Sequence, residues 1–111
     1  MLEFNNTSMY KIYVGLNDGE SHKQEIRTED AMTLVSLYLA NHFDGATVYN
    51  GIGVYKHEDG TIVRENSLII ELVYVSEFMV ESLVNHCKTI LNQESIMIMR
   101  CNCDVQFYGL N

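Results

Sequence analysis

Ser67-Leu68-Ile69-Ile70-Glu71-Leu72-Val73-Tyr74-Val75 is the most hydrophobic stretch of this 111-residue chain. The run is short and rich in β-branched residues, and it therefore predicts a largely buried β-strand. Before it, residues 46–56 and 61–64 have the same β-forming composition and flank Glu58-Asp59-Gly60, a hairpin-turn signal. Residues 46–75 are thus predicted to form a long hairpin, with Gly51-Ile52-Gly53 as a bulge or bend in its first strand.

A strand and two helices are predicted on either side of this hairpin. Residues 9–16 alternate between apolar and polar side chains, which indicates a strand, and residues 1–8 are expected to form a flexible N-terminus. A helix is predicted over residues 28–43, with Thr28 as its N-cap. Ser76 is the predicted N-cap of a second helix.

The last predicted strand, residues 95–108, has apolar side chains at alternate positions: Met97, Met99, Cys101, Cys103, Val105 and Phe107. We expect this set to face the core. Cys101 and Cys103, together with Cys87 on the second helix, are therefore interpreted as packing residues rather than metal ligands.

The order strand, helix, two strands, helix, strand predicts an α+β fold of the ferredoxin-like type. In this split βαβ sandwich, an antiparallel sheet carries two helices on one face and a long bulged hairpin. Residues 1–111 are predicted to form a single domain, because the chain is short and has no linker-like segment.

The opposite face of this sheet is predicted to be half apolar. Ile96, Ile98 and part of the strand over 68–75 are expected there, beside Lys11, Tyr13 and Arg100. An apolar surface of this kind is usually covered by a partner. We therefore predict that the chain associates with itself as a homodimer or a higher homo-oligomer.

Charge and composition exclude several classes of function. Seven Lys and Arg against fifteen Asp and Glu leave a net charge of −8, which argues against nucleic-acid binding through phosphate contacts. No apolar run reaches the roughly 18–20 residues that a membrane span needs, and the N-terminal sequence has no secretion-signal pattern. The odd cysteine count, three, fits reduced thiols. These features predict a cytoplasmic protein with no nucleic-acid and no membrane partner.

Motifs for catalysis, metals and cofactors are not evident. Gly51-Ile52-Gly53 lacks the third glycine of a dinucleotide fingerprint, and the four histidines are not spaced as zinc ligands. The sequence therefore predicts no catalytic residue, no metal site and no cofactor.

Four of the seven basic residues lie on predicted strands, and this distribution suggests a ligand pocket. If these cations converge across an oligomer interface, they can bind a phosphate or carboxylate, with tyrosines as a stacking wall. The alternatives are that Arg64 and Glu65 form a surface ion pair and that the tyrosines belong to the core. The predicted ligand-binding residues are Lys11, Tyr13, Tyr55, Lys56, Arg64, Glu65, Ser67 and Arg100.

Several of the same segments resemble one family. They are Phe43-Asp44-Gly45-Ala46-Thr47-Val48, Gly51–Tyr55, Asp59-Gly60-Thr61-Ile62-Val63-Arg64-Glu65-Asn66-Ser67 and Gln93-Glu94-Ser95-Ile96. Their pattern resembles that of an uncharacterised family of small bacterial and phage proteins, known only as a domain of unknown function.

The resemblance spans most of residues 9–108, with Tyr55 where the family often has tryptophan. It implies no activity. It does direct attention to a polar set for testing: Arg64, Glu65, Ser67, Gln93, Glu94 and Ser95.

Three functions stay open at this point. The first is a non-enzymatic oligomer that binds a small anionic, nucleotide-like molecule at a subunit interface, as a phage protein that sequesters a host nucleotide would do. The second is an acidic protein–protein interaction or inhibitor module, which the net charge would favour. The third, a small ferredoxin-like enzyme, is least favoured because no paired acid and base stands out.

Overall fold

The computed structural model describes residues 1–109 and contains one four-stranded antiparallel sheet with two helices. The strands lie in the order β2-β3-β1-β4. This is the α+β ferredoxin-like arrangement predicted from the element order. The elements are β1 (Asn5–Gly15), α1 (Thr28–His42), β2 (Thr47–Lys56), β3 (Ile62–Val73), α2 (Glu77–Ile90) and β4 (Met97–Val105).

The core lies between the helices and one face of the two central strands. Tyr10, Ile12 and Val14 of β1 are buried there, as is Leu16 directly after the strand, which confirms the predicted alternation. The buried residues of both helices join the same cluster. The most hydrophobic stretch of the sequence is the centre of β3, where Leu68, Ile70 and Leu72 pack under the helices. We call this side the helix-covered face and the other side the open face.

β2 and β3 form a hairpin without a bulge. Their register runs unbroken from Thr47 opposite Glu71 to Lys56 opposite Ile62. The predicted bulge at Gly51-Ile52-Gly53 is therefore wrong, because both glycines pair in step with β3. The glycines make room instead: a Cβ at Gly51 would lie 2.8 Å from the Cδ1 of Ile69.

β4 presents its alternating apolar residues to the open face, not to the core. Met97 pairs with Tyr13, and Met99 pairs with Lys11. Because directly paired residues share a face, the odd-numbered side chains of β4 lie beside the open-face residues of β1. Met97 is 55% exposed and Met99 is 40% exposed. The predicted core-facing set of β4 is therefore wrong.

The cysteines and the even-numbered residues of β4 follow from the same register. Cys101 is exposed and Cys103 is half-buried, whereas Cys87 is buried as predicted. Ile98 and Arg100 pair with Ile12 and Tyr10 and so lie on the helix-covered face. The prediction that placed them on the open face is thus wrong too.

The starts of two elements, β1 and α1, differ from expectation, whereas the start of α2 agrees with it. β1 begins at Asn5, so residues 5–8 pair with β4 instead of remaining flexible. Arg27, not Thr28, is the N-cap of α1 and makes no side-chain cap bond. The Ser76 cap of α2 is confirmed, since its hydroxyl accepts a hydrogen bond from the Met79 amide at 3.1 Å.

In the part of the chain that is described, neither helix has the length and apolar character for a membrane crossing.

Candidate functional site: an acidic cleft on the open face

A cleft of about 400 Å³ lies on the open face, at the end of the sheet where β1 ends and β3 begins. We call it the acidic cleft because Asp18, Glu65 and Glu94 line it, and its lining within residues 1–109 includes no lysine or arginine. The other lining residues are Tyr13, Gly15, Asn17, Gly19, His22, Tyr55, His57, Val63, Ser67, Gln93, Ser95 and Met97.

The Glu65 carboxylate lies across the sheet directly over Gly15. A Cβ built at Gly15 would be 2.7 Å from Oε1 and 2.8 Å from Oε2 of Glu65, so only glycine leaves space for the carboxylate in this position. Oε2 accepts a hydrogen bond from the backbone amide of Asn17 at 3.1 Å. Oε1 has no hydrogen-bond donor among the described residues and remains available to a ligand.

Asp18 shapes the loop that forms one wall of the cleft. Its Oδ1 accepts bonds from the amides of Glu20 and Ser21, and its Oδ2 accepts one from the Asn92 side chain at 2.9 Å. The Asn92 bond first, and the two amide bonds next, hold the pKa of Asp18 below its usual value. His22 completes the turn with a left-handed φ of 60°, which is uncommon outside glycine. Both oxygens of the Asp18 carboxylate are therefore used to stabilise the loop.

Gln93 connects the same loop to the end of α2. Its amide donates to the backbone carbonyl of Asn17 at 2.7 Å. The Gly19 amide donates to the carbonyl of Asn92 at 2.8 Å. Asn17 is thus held on both sides, by Glu65 at its amide and by Gln93 at its carbonyl. The position of the Glu65 carboxylate is consequently coupled to the loop that follows α2.

Aromatic side chains form the remaining walls. Tyr55 borders Glu65 and meets the ring of His57 edge-on at 5.5 Å. Burial, and next the charge of the nearby Glu65, raises the pKa of Tyr55 above its usual value. Tyr13 lies on β1, beside Met97 of β4. The acidic cleft therefore combines a carboxylate, a tyrosine hydroxyl and aromatic rings.

Half of the predicted ligand-binding residues meet in this cleft. Tyr13, Tyr55, Glu65 and Ser67 line it. The polar set singled out by the family resemblance converges even more fully, because Gln93, Glu94 and Ser95 also line it. Arg64 is the exception: it pairs with Val54 and has the face of Leu68, on the far side of the sheet.

The four basic residues do not meet within one copy of the chain. Lys11, on the open face, forms an ion pair with Glu71 at 3.5 Å. Arg100, on the helix-covered face, pairs with Glu77 at 3.2 Å. Lys56 and Arg64 lie on the hairpin beyond the helices. The prediction that they converge between copies stays a prediction.

Lys11 belongs to a second polar group in the middle of the open face. Glu71 accepts a hydrogen bond from the Tyr49 hydroxyl at 2.7 Å and also forms the ion pair with Lys11. The charges of Tyr49, Tyr13 and Glu71, in that order, raise the pKa of Lys11. The charged Lys11 ammonium is therefore already paired with Glu71 and is poorly placed to bind an anion.

Sequence reasoning missed the residues that shape the cleft. Gly15, Asn17 and Asp18 are absent from the ligand-binding residues predicted from the sequence. The available signal was a glycine at the end of a strand that is otherwise apolar on alternate positions, since such a glycine often marks the close approach of another group. Within the described residues, no group of three or more His, Cys, Asp or Glu side chains is placed to hold a metal ion.

Known proteins share the fold of this chain. A phage SAM lyase in complex with S-methyl-5'-thioadenosine is 21% identical with a TM-score of 0.65, and the match covers 100% of this chain and 98% of that chain. CutA from Synechococcus elongatus is 11% identical with a TM-score of 0.56, over 92% of this chain and 80% of that one. CutA1 from Pyrococcus horikoshii is 17% identical with a TM-score of 0.53, over 90% and 88%. At these identities the likeness shows the fold alone.

The sequence itself matches one family. No curated protein matches the chain. The model of DUF3574, a protein family of unknown function, matches residues 9–107, which include both helices, β2, β3, β4, most of β1 and every residue that lines the cleft. The uncharacterised family predicted from the motifs is thereby confirmed: the chain belongs to the DUF3574 family.

Proposed function

We propose that the acidic cleft binds a small adenosyl sulfonium compound of the S-adenosylmethionine (SAM) class. One observation carries the proposal: the Glu65 carboxylate, with a free Oε1, lies in a cleft bordered by Tyr13 and Tyr55. A sulfonium is a permanent cation, and a carboxylate together with aromatic rings attracts a cation that has left water. The volume of about 400 Å³ falls within the roughly 300–1,000 Å³ of small-molecule sites.

The sign of the charge separates this ligand from the one expected from the sequence. A phosphate in the acidic cleft would face Glu65 and Glu94 with no lysine or arginine among the described lining residues. The nucleoside part of the predicted ligand remains suitable, because its base can stack on the tyrosine rings. The proposal therefore keeps a nucleoside and replaces the anionic group by a cation.

The structural comparison supports this choice of ligand without establishing it. The phage enzyme with the same fold acts on SAM and was solved with a methylthioadenosine bound. Its match extends over the full length of the present chain. The chemistry of the cleft, and not the 21% identity, is the reason for assigning this class of ligand.

The test compares three adenosine compounds by isothermal titration calorimetry. SAM carries the sulfonium, S-methyl-5'-thioadenosine lacks its charge, and ATP replaces it with phosphates. We expect the order SAM, then methylthioadenosine, then ATP, because the Glu65 charge favours the cation and repels the anion. Equal affinity for SAM and methylthioadenosine, or preference for ATP, would contradict the proposal.

Glu65→Gln isolates the charge. The variant keeps the size of the side chain and should weaken SAM binding by about tenfold or more, since hydrogen bonds and contacts to charged groups contribute about 1.5–3 kcal/mol. Affinity for methylthioadenosine should change little, so the preference for SAM disappears. Glu25→Gln is the matched control, because Glu25 is exposed and does not line the cleft. It should bind like the wild type.

A second candidate function is cleavage of the bound sulfonium, a lyase reaction. The observation that favours it is the free Oε1 of Glu65, which can accept a proton as a general base. In an elimination, Glu65 takes a proton from the amino-acid chain, at the carbon next to the methylene bonded to sulfur, and the electron pair of that C–H bond forms a C=C bond. The C–S bond breaks with its electron pair moving to sulfur, which gives neutral methylthioadenosine and an unsaturated amino acid.

Mass spectrometry of the titration mixture distinguishes the two functions. Release of methylthioadenosine over time, absent with Glu65→Gln, would establish a lyase. Intact SAM bound in stoichiometric amount would establish a sequestering protein, which differs from the first sequence-based hypothesis in that its ligand is a cation and not an anion.

A further inference from the structure

The hairpin extends beyond the helices and exposes one apolar face. Ile52, Val54 and Ile62 lie on the helix side of β2 and β3, yet they are 54%, 63% and 66% exposed because neither helix reaches them. We call residues 52–64 the hairpin arm. The chain measures 53 Å in its longest dimension against 30 Å and 23 Å in the others, so it is elongated.

Two cations accompany the apolar residues on this face of the arm. Lys56 pairs with Ile62, and Arg64 pairs with Val54, so both project on the same side as the apolar residues. Neither forms an ion pair with any described residue. The arm therefore presents an apolar strip with two unpaired positive charges in a protein whose net charge is −8.

A groove of complementary character lies at the other edge of the sheet, between α2 and β4. It has a volume of about 430 Å³, and Val80, Val84 and the half-exposed Ile98 give it an apolar floor. Glu77 and Glu81 line its rim. Arg100 already pairs with Glu77, whereas Glu81 has no cationic partner among the described residues. We call this the α2–β4 groove.

We propose that the hairpin arm of one copy of this chain docks in the α2–β4 groove of another. Apolar residues then meet apolar residues, and Lys56 and Arg64 approach the acidic rim that contains Glu81. β2 and β4 are the two edge strands of the sheet, each with a partner on one side only. An exposed edge strand can pair with a strand of another chain. Docking covers both edges as well as both apolar surfaces.

The contact joins two different surfaces, so each copy both supplies an arm and receives one. The predicted self-association therefore uses the hairpin arm and the α2–β4 groove, and not the open face of the sheet that was expected from the sequence. Lys56 and Arg64, which were predicted to bind a ligand, act here as partners of acidic groups. Tyr55 lies on the opposite side of the same arm and Glu65 directly follows the arm on β3, so docking also places the acidic cleft beside the neighbouring copy. The inference does not depend on the identity of any ligand.

Charge reversal on each surface, followed by their combination, tests the contact. The arm variant Lys56→Glu/Arg64→Glu and the groove variant Glu81→Arg each place like charges together, and light scattering should report a monomer of 12.7 kDa. The variant with all three changes should regain the mass of the wild-type oligomer. Since the altered side chains are exposed, each variant should keep the wild-type circular dichroism spectrum.

A matched control separates specific pairing from a general effect of charge. Lys23→Glu/Lys88→Glu makes the same change in net charge at exposed positions outside the arm and the groove, and it should leave the oligomer intact. A monomeric wild type would overturn the proposal. So would an oligomer that the arm variant leaves unchanged, or a triple variant that folds but stays monomeric. Because mass is the readout, failure here leaves the proposed ligand site untouched.

Discussion

The two faces of the single sheet differ in what their alternating side chains do. On the helix-covered face, Ile12, Val14 and Leu68 are fully buried and hold the protein together. On the open face, Lys11 of β1, Glu65 of β3 and Met99 of β4 remain accessible. The comparison shows that stability and the candidate site are divided between the two faces. Substitutions should therefore affect one or the other.

The largest difference is expected between Ile12→Ala and Met99→Ala. Ile12 is fully buried, so its truncation should cost about 2–5 kcal/mol of the free energy of unfolding. Met99, on the open face and 40% exposed, should cost about 1 kcal/mol or less. Urea denaturation at one protein concentration measures both. A Met99→Ala cost equal to that of Ile12→Ala would show that β4 faces a core after all.

A smaller effect on the free energy of unfolding is expected from ionisation of the Cys87 thiol at alkaline pH. Cys87 lies on α2 and is buried against the sheet. Burial raises the pKa of this thiol from 9.0 to about 11. The native state therefore holds the proton more tightly than the unfolded state, and stability is lost as the pH rises from 9.0 towards about 11. The loss should approach about 3 kcal/mol, because each pKa unit corresponds to roughly 1.4 kcal/mol.

Two cysteine variants check the origin of that loss. Cys87→Ala should flatten the fall in stability over this range, whereas Cys101→Ala on the exposed strand should leave it as in the wild type. Chemical denaturation at a series of pH values gives the slopes. If both variants kept the wild-type slope, ionisation of Cys87 would not be its cause.

The smallest effect on stability is expected from Gly15→Ala on the open face. Its Cβ would collide with the Glu65 carboxylate, which can swing away because it ends a flexible side chain. We expect a change of about 1 kcal/mol or less in stability but loss of the preference for SAM over methylthioadenosine in calorimetry. Gly45→Ala, where a Cβ meets nothing within 4 Å, is the control. Normal SAM binding by Gly15→Ala would exclude Glu65 as the residue that recognises the cation.

The same comparison explains which parts of the fold could be predicted. Alternation in β1 and the Ser76 cap are local signals, and both were read correctly. Alternation in β4 was recognised too, but its apolar set was assigned to the wrong face. A period of two shows that a strand has two faces without showing which one the helices cover. Pairing with β1, a contact distant in sequence, determines that choice.

The candidate site was predictable only in part, for a similar reason. The motif around Glu65 and Ser67 and the one around Gln93 lie far apart in sequence, and only the family resemblance linked them before the sheet brought them together. The basic pocket was inferred from residue type alone. Strand parity then separated Lys11 from Arg64 and Arg100, since neighbouring positions project on opposite sides of a sheet.

The hydrogen bond between the Asn17 amide and Glu65 has a practical consequence. That amide can exchange its hydrogen with solvent only when its hydrogen bond to the carboxylate breaks. Its exchange rate therefore measures how stable the position of Glu65 is. A ligand that binds Oε1 and tightens the carboxylate should slow exchange at Asn17, and one that draws Glu65 away should accelerate it. A single backbone nitrogen in an NMR spectrum thus serves as a gauge of the cleft, readable without knowledge of the natural ligand.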